Sequence, residues 1–332
     1  MPLISVIIPV YNGENTIRET IASVLNQTWA DLEVIVINDG SQDSTLEIVS
    51  NMSDARIKVF SYPNGNQAVS RNRGIAHATS EYISFIDADD LWTPDKLESQ
   101  LKALQQNPKA AVAYSWTDLI DESSQFIRTG SHLTVNGDAY ANLLIVNFLE
   151  NGSNPLICRE ALIKVGGFDP SLPPAEDWDM WLRLASHYPF VAVPSAQILY
   201  RTSANSTSCN VSKLEAATLR VIERAFAQAP ASLQSLKKHS LGNIYKYLTY
   251  KTIQGYPLRQ SSLVAARYLW NAILNDLNLL QTRVIWKVLL KVIIVAILPE
   301  QFALKVLEKL PQISNISALL VHIKIDIPKN LA

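Results

Sequence analysis

The first 116 residues alternate between two kinds of segment, and that alternation constrains the fold more than any other feature. "LISVIIPV" (3–10), "LEVIVIND" (32–39), "RIKVF" (56–60), "EYISFID" (81–87) and "AAVAYSW" (110–116) are apolar, β-branched runs that read as strands. Between them, "ENTIRETIASVLNQT" (14–28) has helical spacing through Ile17, Ile21, Val24 and Leu25. "SQDSTLEIVSNM" (41–52) is a second helix, capped by Ser41 or Asp43. "NQAVSRNRGIAHAT" (66–79) and "TPDKLESQLKALQQN" (93–107), with Pro94 in its first turn, complete the set. Strands and helices alternating at this spacing predict parallel βαβ units. The expected class is α/β, a mostly parallel sheet with helices on both faces.

Beyond residue 117 the pattern weakens. Residues 118–155 are richer in Asn, Ser and Gly and predict loops with one short helix near 138–148. A helix at 159–166, the loop "GGFDPSLPPAEDWD" (166–179) and an amphipathic helix at 177–188 follow. "FVAVP" (190–194) and "QILYR" (197–201) are two short strand candidates. From 211 to about 310 the period is helical, broken at Pro230, at Gly255-Tyr256-Pro257 and at Pro299. The chain thus divides near 205 into an α/β half and a helical C-terminal region, 206–332, and its 332 residues suffice for both.

Hydrophobic residues make up 48% and charged residues 18%, which indicates a filled core and not disorder. The net charge of −1 provides no basic field, which argues against a nucleic-acid partner. Cys158 and Cys209 belong to no CxxC or Cys/His cluster and read as reduced thiols in a reducing compartment. "MPLISVIIPVYNGEN" lacks the basic n-region and cleavage site of a signal peptide, so a cytoplasmic location is expected. "VIWKVLLKVIIVAILP" (284–299) is shorter than the about 20 apolar residues of a membrane span and contains Lys287 and Lys291, which are four apart and share a helical face. Trp286, Leu289, Leu290, Ile293, Ile294 and Ile297 spread over the other faces. Both a core helix and a helix lying in the membrane surface fit that spacing.

In open α/β sheets, ligands bind beyond the carboxyl ends of the strands. The first strand delivers Pro9, Val10, Tyr11, Asn12, Gly13 and Glu14 to that edge, and the second delivers Asn38, Asp39, Gly40 and Ser41. The fourth ends in Asp87, Asp89 and Asp90. "YNGE" and "NDGS" are ordinary turns taken singly. Three carboxylates at one strand tip repel, and they call for positive charge beside them. Mg²⁺ and Mn²⁺ take oxygen ligands, usually one or two carboxylates completed by substrate phosphates, and suit such a tip. Asp95 reads as the first-turn acid of the next helix. A second polar knot, "AEDWDMWLRLA", carries Glu176, Asp177 and Asp179 into a helix beside Trp178 and Trp181. Acids at a helix start complement its dipole. A tryptophan wall also raises the basicity of a neighbouring carboxylate, as a general base requires.

Five blocks together, "SVIIPVYNGENTIRETIASVLNQT", "EVIVINDGSQDST", "SRNRGIAHATSEYISFIDADD", "VGGFDPSLPPAEDWDMWLRLA" and "YR" at 200–201, resemble the family 2 glycosyltransferases. The likeness covers residues 3 to about 205 and implies a GT-A, Rossmann-like fold, with 1–116 binding a nucleotide sugar and 117–205 supplying the acceptor site and the catalytic base. It implies that Pro9 and Tyr11 line the nucleobase pocket, Glu14 faces the ribose and Asp39 accepts the imide N–H of the base, which by this likeness is uracil. Arg71 and Gly74 would lie near the diphosphate or sugar, Asp87 by the ribose or sugar hydroxyls, and Arg201 near the leaving diphosphate. Asp89 would be the main ligand of Mn²⁺ or Mg²⁺ in the D-A-D motif, Asp177 the catalytic base with Glu176 as second candidate, and Trp178 part of the acceptor site. The implied reaction inverts the anomeric centre and moves one sugar, or a few, to a saccharide or lipid-linked acceptor. The QxxRW block of processive members is missing, since "QTRVIW" (281–286) has its letters but not its spacing. The region after 205 lies outside the resemblance; peripheral membrane contact through 284–298 fits its residues, and a structural tail or a homo-oligomer surface explains the same residues.

Overall fold

In the computed structural model the described residues are 2–202, 210–254 and 259–323. They fall into two compact units, Met1–Leu143 with Asn147–Ser206 and Leu144–Val146 with Thr207–Ala332.

The first unit is built on one mixed sheet. It begins with strand β1 (Ile4–Val10), helix α1 (Ile17–Leu25), β2 (Leu32–Asn38), α2 (Thr45–Ser50), β3 (Ile57–Ser61), α3 (Gln67–His77) and β4 (Tyr82–Phe85). It continues through β5 (Leu91–Trp92), α4 (Lys96–Gln106), β6 (Val112–Ile120), β7 (Phe126–Thr129), α5 (Tyr140–Ile145), β8 (Leu156–Cys158), α6 (Arg159–Lys164), α7 (Glu176–Ala185) and β9 (Phe190–Arg201). Residues 144–146, at the end of α5, group with the second unit. The strand order is β3-β2-β1-β4-β8-β6-β9-β5, with β7 on β6. All seven residues of β1 and of β2 are buried, as strands covered on both faces must be.

The parallel part of the sheet positions the site. β1 runs parallel to β2, from Ile4 opposite Leu32 to Val10 opposite Asn38, and parallel to β4 on its other side. The carboxyl ends of these three strands therefore open on the same edge.

The second half of the sheet departs from a simple parallel succession. β8 lies antiparallel between β4 and β6. The strand expected at 110–116 runs on to Ile120, because its polar outer half (Thr117, Asp118) pairs with β9. Residues 118–155, expected as loops and one helix, also contribute the edge strand β7 and the start of the turn into β8. The two short strands expected at 190–194 and 197–201 are one strand, β9. Its register slips between Ser115 opposite Val193 and Trp116 opposite Ala196, leaving Pro194 and Ser195 out of the ladder. Proline has no N–H to donate, so a bulge there keeps the strand continuous. Cys158 is a free thiol, and Cys209 lies outside the described residues.

The second unit is helical: α8 (Val211–Gln228), α9 (Leu236–Ile253), α10 (Arg259–Asn275), α11 (Arg283–Ile297), α12 (Glu300–Lys309) and the short α13 (Pro311–Ser314). The break expected at 255–257 lies outside the described residues. Pro299 caps the start of α12. Ala265, Leu269, Ala272 and Ile273 of α10 share a core with Val284, Ile285, Val288 and Val292 of α11 and with Ile316 and Leu319. The lysines of α11 do not share an environment as their spacing suggested. Lys287 is exposed, whereas Lys291 turns inward and donates to the Ser314 carbonyl at 2.7 Å. Among the described residues no helix is long and apolar enough to cross a membrane.

Candidate active site

The tips of β1 and β2 are tied to each other. Asn12 takes a left-handed conformation (φ 51°), its N–H donates to Ser41 Oγ at 3.0 Å, and its Oδ1 accepts from the Gln42 N–H at 2.8 Å. The Gly13 N–H donates to Thr45 Oγ1, and Glu14 accepts from the Ser44 N–H at 2.9 Å. Glu14 is thus engaged with the start of α2. Pro9, expected to line a pocket, is buried inside β1 opposite Ile37, whereas Tyr11 beyond the strand end is 51% exposed.

Asp39 is buried at the end of β2, and its carboxylate is already surrounded by donors. It accepts from the Gly65 and Asn66 N–H groups, both at about 3 Å, and from Arg73 at 2.7 Å. Arg73 lies over the Tyr62 ring, 4.5 Å from its centroid. Sequence reading gave Arg73 no role. Two positions after Arg71, it leaves α3 on another side, so one helix sends a cation to each of two strand tips.

Arg71 is the centre of the site. Its side chain is 2% exposed, and it donates to Asp87 at 2.7 Å and to Glu176 at 3.0 Å. The first acid lies two residues beyond β4 and the second opens α7, 89 residues later by their numbers. The Phe168 ring lies 5.2 Å away, and a side chain at Gly152 would collide with the guanidinium. Gln67 also donates to Asp87 at 2.7 Å, while Ser153 Oγ accepts from the Asp87 N–H and donates to Asp90. Neither Ser153 nor Gln67 carries a sequence signal of its own. The positive charge called for by three crowded carboxylates is therefore partly supplied from within the chain.

The three acids of the D-A-D-D loop have different surroundings. Asp87 is held by Arg71 and Gln67. Asp90 is fully buried between Ser153 and the Arg201 N–H, and burial together with the two neighbouring acids raises its pKa well above the aspartate range. Asp89 is partly exposed, and its pKa is pushed up to about 6, first by burial and then by Asp87. Arg201, expected near a diphosphate, is 3% exposed and hydrogen-bonded inside the protein. It donates to the carbonyls of Asp89, Asp121 and Glu122, to Ser124 Oγ and to Glu19. Its guanidinium fastens the D-A-D-D loop to the turn after β6.

At the head of α7, Glu176 is buried, with one oxygen on Arg71 and the other without a partner. Asp177 is partly exposed and accepts from the Trp178 N–H at 2.7 Å, with Asn147 at 3.5 Å. Its pKa is pushed up to about 7, first by burial and then by the Glu176 charge, with Arg71 opposing. Asp179 instead pairs with Arg183 one turn on, at 2.8 Å. Trp178 is 7% exposed and its indole N–H donates to the Leu143 carbonyl at 2.8 Å, so it is a packed wall beside the acids, not an open acceptor surface.

Over residues 5–252, which is most of the chain, the sequence matches the family described as Glycosyltransferase like family 2. The chain belongs to that family. Among its relatives, an uncharacterized glycosyltransferase of Rickettsia bellii is 37% identical over 188 residues, which are 55% of this chain and 27% of that protein. The chondroitin synthase of Pasteurella multocida is 31% identical over 187 residues, 56% of this chain and 19% of the synthase. The match thus spans only about a quarter or less of these relatives' length. In structure the chain is similar to S. aureus TarS 1–349, with a TM-score of 0.59, 17% identity and coverage of 82% of this chain and 88% of that one. The mannosyltransferase PcManGT from Pyrobaculum calidifontis, solved with GDP-Man and Mn²⁺, gives a TM-score of 0.58 at 18% identity, over 97% of this chain and 86% of that one. At these identities the likeness establishes the fold, which is of the GT-A type.

In this family 2 member Gly74, expected near the diphosphate or sugar, has a packing reason to be glycine. It is buried on α3, and a side chain there would collide with Ile7 of β1. The glycine lets α3 approach the sheet closely enough for Arg71 to reach the β4 tip. No group of three or more His, Cys, Asp and Glu side chains among the described residues is arranged to hold a metal ion. Of the three loop acids, Asp87 and Asp90 are engaged, and Asp89 alone has no side-chain donor on it. One hard carboxylate oxygen pair fits a divalent cation whose remaining positions are filled by phosphate and water.

Proposed function

We propose that this chain is a metal-dependent, inverting glycosyltransferase that moves a sugar from a nucleoside diphosphate sugar, with UDP as the expected carrier, to an acceptor hydroxyl. The observation that carries the reading is the Arg71 bridge. It joins Asp87, on the loop expected to take the donor, to Glu176, whose neighbour Asp177 has a pKa of about 7. A base with that value is half ionised at neutral pH, which suits proton abstraction. Asp177 takes the proton from the acceptor hydroxyl as its oxygen bonds to the anomeric carbon. The bond from that carbon to the diphosphate breaks on the opposite face, and the diphosphate leaves with the electron pair. Asp89 is the residue that would hold Mn²⁺ or Mg²⁺, whose contribution is to neutralise charge on the diphosphate. Arg71 fixes Asp87 and Glu176 and adds positive potential beside them.

In this reading residues 1–116 take the donor and 117–205 the acceptor and base. Transfer is non-processive and serves a cell-surface polysaccharide or glycolipid, from the cytoplasmic side of the membrane. The relatives' names support polysaccharide synthesis as the setting, and TarS has been solved with UDP and with UDP-GlcNAc. Calorimetric titration with UDP, dTDP and GDP, each with Mn²⁺ and with EDTA, tests the proposal. Binding of one nucleotide that requires Mn²⁺ is the expected result. A folded protein that binds none of them would overturn it.

A further inference from the structure

We infer that the second unit docks on an anionic lipid bilayer through an apolar ridge formed by α10, α11 and the turn between them. The inward side of α11 is filled by Val284, Ile285, Val288, Val292 and Val295. Its opposite side is also apolar. Trp286, Leu290, Ile293 and Ile297 follow at spacings of four, three and four residues and are 60%, 43%, 50% and 73% exposed. That spacing aligns them along one helical face. On α10, Leu263, Trp270 and Leu274 lie opposite the core residues Ala265, Leu269 and Ala272 and are likewise exposed. The connecting turn, Leu277–Gln281, adds exposed Leu277 and Leu280. The Trp286 indole N–H donates to the Leu280 carbonyl at 3.2 Å, which seats the ring against that turn and joins the two helical stripes. A solvent-facing apolar surface of this extent is rare unless something covers it.

The charges beside the ridge select its occupant. From Leu277 to Pro299 the sequence has no acid, while Arg283 and Lys287 are exposed. Asp276, just before this stretch, is buried and paired with Lys246 at 2.9 Å. A two-fold contact between copies would press this surface on itself, bringing cations together with no acid to offset them. An anionic bilayer accommodates both features: acyl chains take the apolar ridge, headgroups take Arg283 and Lys287, and tryptophans favour the boundary. α11 is about 22 Å long, too short to span, so it lies along the surface.

The test is flotation of the full chain with phosphatidylcholine vesicles and with the same vesicles containing phosphatidylglycerol. The chain is expected to float with the anionic vesicles and only weakly with the neutral ones. Trp286→Ala combined with Ile293→Gln changes two exposed side chains, keeps the melting temperature and should lower partitioning by about tenfold or more. Arg283→Gln and Lys287→Gln should each cost about fivefold, less at high salt. A wild type that floats with neither vesicle overturns the inference, as do ridge variants that float undiminished. It is also overturned if sedimentation velocity shows a wild-type dimer that these variants convert to monomer. None of these results depends on the chain having transferase activity.

Discussion

Glu176 and Asp177 are consecutive at the head of α7, yet only Glu176 meets Arg71, at 3.0 Å. The guanidinium fixes one acid as a structural anion and leaves the other with no arginine on it. The first expectation follows from this division. Asp177→Asn should leave nucleotide affinity close to wild type and lower turnover by about 10²–10⁴-fold, the range for loss of a general base. Glu176→Gln should weaken the packing of Arg71 but retain measurable turnover. Side-by-side titration calorimetry and initial rates distinguish the two, and an active Asp177→Asn protein would remove the base assignment.

The same geometry sets a pH dependence. Burial and the Glu176 charge push Asp177 up to about 7, and the ionised form is the one that accepts a proton. Rate should rise with pH through about 7 and level off above it. In Glu176→Gln the neighbouring negative charge is gone, so the rising limb should move to lower pH. Stability runs the other way. A carboxyl whose folded pKa is raised binds more protons folded than unfolded, so its contribution falls as pH climbs from the usual aspartate range to about 7. Asp177→Asn should therefore gain thermal stability relative to wild type at pH 8 but not at pH 4, measured by differential scanning calorimetry.

Asp89 offers a separate test because its side chain supports no other. Asp87 and Asp90 are each held by side-chain or backbone donors within the protein. Asp89→Ala should accordingly keep the fold, with a melting temperature near wild type. It should lose the Mn²⁺-dependent part of nucleotide binding by calorimetry. Unchanged Mn²⁺ dependence would place the cation elsewhere.

Arg71→Ala should be far more damaging to stability. Asp87 and Glu176 would lose their shared counter-ion, and removing one member of a buried ion network costs about 3–5 kcal/mol. Burial already raises the Glu176 pKa and Arg71 opposes that rise, so without the guanidinium the carboxyl moves up further. The loss should be smaller at pH 5 than at pH 8. Urea denaturation at both pH values measures this.

Some of this was readable from residue order and some was not. β1, β2 and β4 are parallel and covered on both faces, so each is a continuous apolar run that stops where polar residues begin. That is why the tips at Tyr11, Asp39 and Asp87 stand out. β5 has only two residues, Leu91 and Trp92, too few for any period, and it exists because β9 pairs with it. β9 itself looks broken, since Pro194 interrupts the alternation and only the register slip against β6 restores it. The arginines were equally opaque. Nothing in "SRNRG" says that Arg71 turns to Asp87 and Arg73 to Asp39, or that Arg201 is consumed by backbone carbonyls. Partners more than a dozen residues apart are set by packing, and local spacing does not encode them.

Gly74 illustrates how such packing can be tested directly. On α3 it faces Ile7 of β1, and a methyl group there would overlap the isoleucine side chain. α3 would have to shift away from the sheet, and overpacking of this kind costs about 1–3 kcal/mol. Because Arg71 lies one turn before Gly74 on the same helix, the shift also moves its guanidinium relative to Asp87. Gly74→Ala is expected to lower the urea midpoint and to weaken nucleotide binding together. Ile7→Ala alone leaves a cavity, but in the double variant the new methyl occupies part of it. The two changes should therefore be less damaging together than their separate effects added, and a double-mutant cycle reads that coupling. Strict additivity would mean that the glycine is not there to let the helix approach the strand.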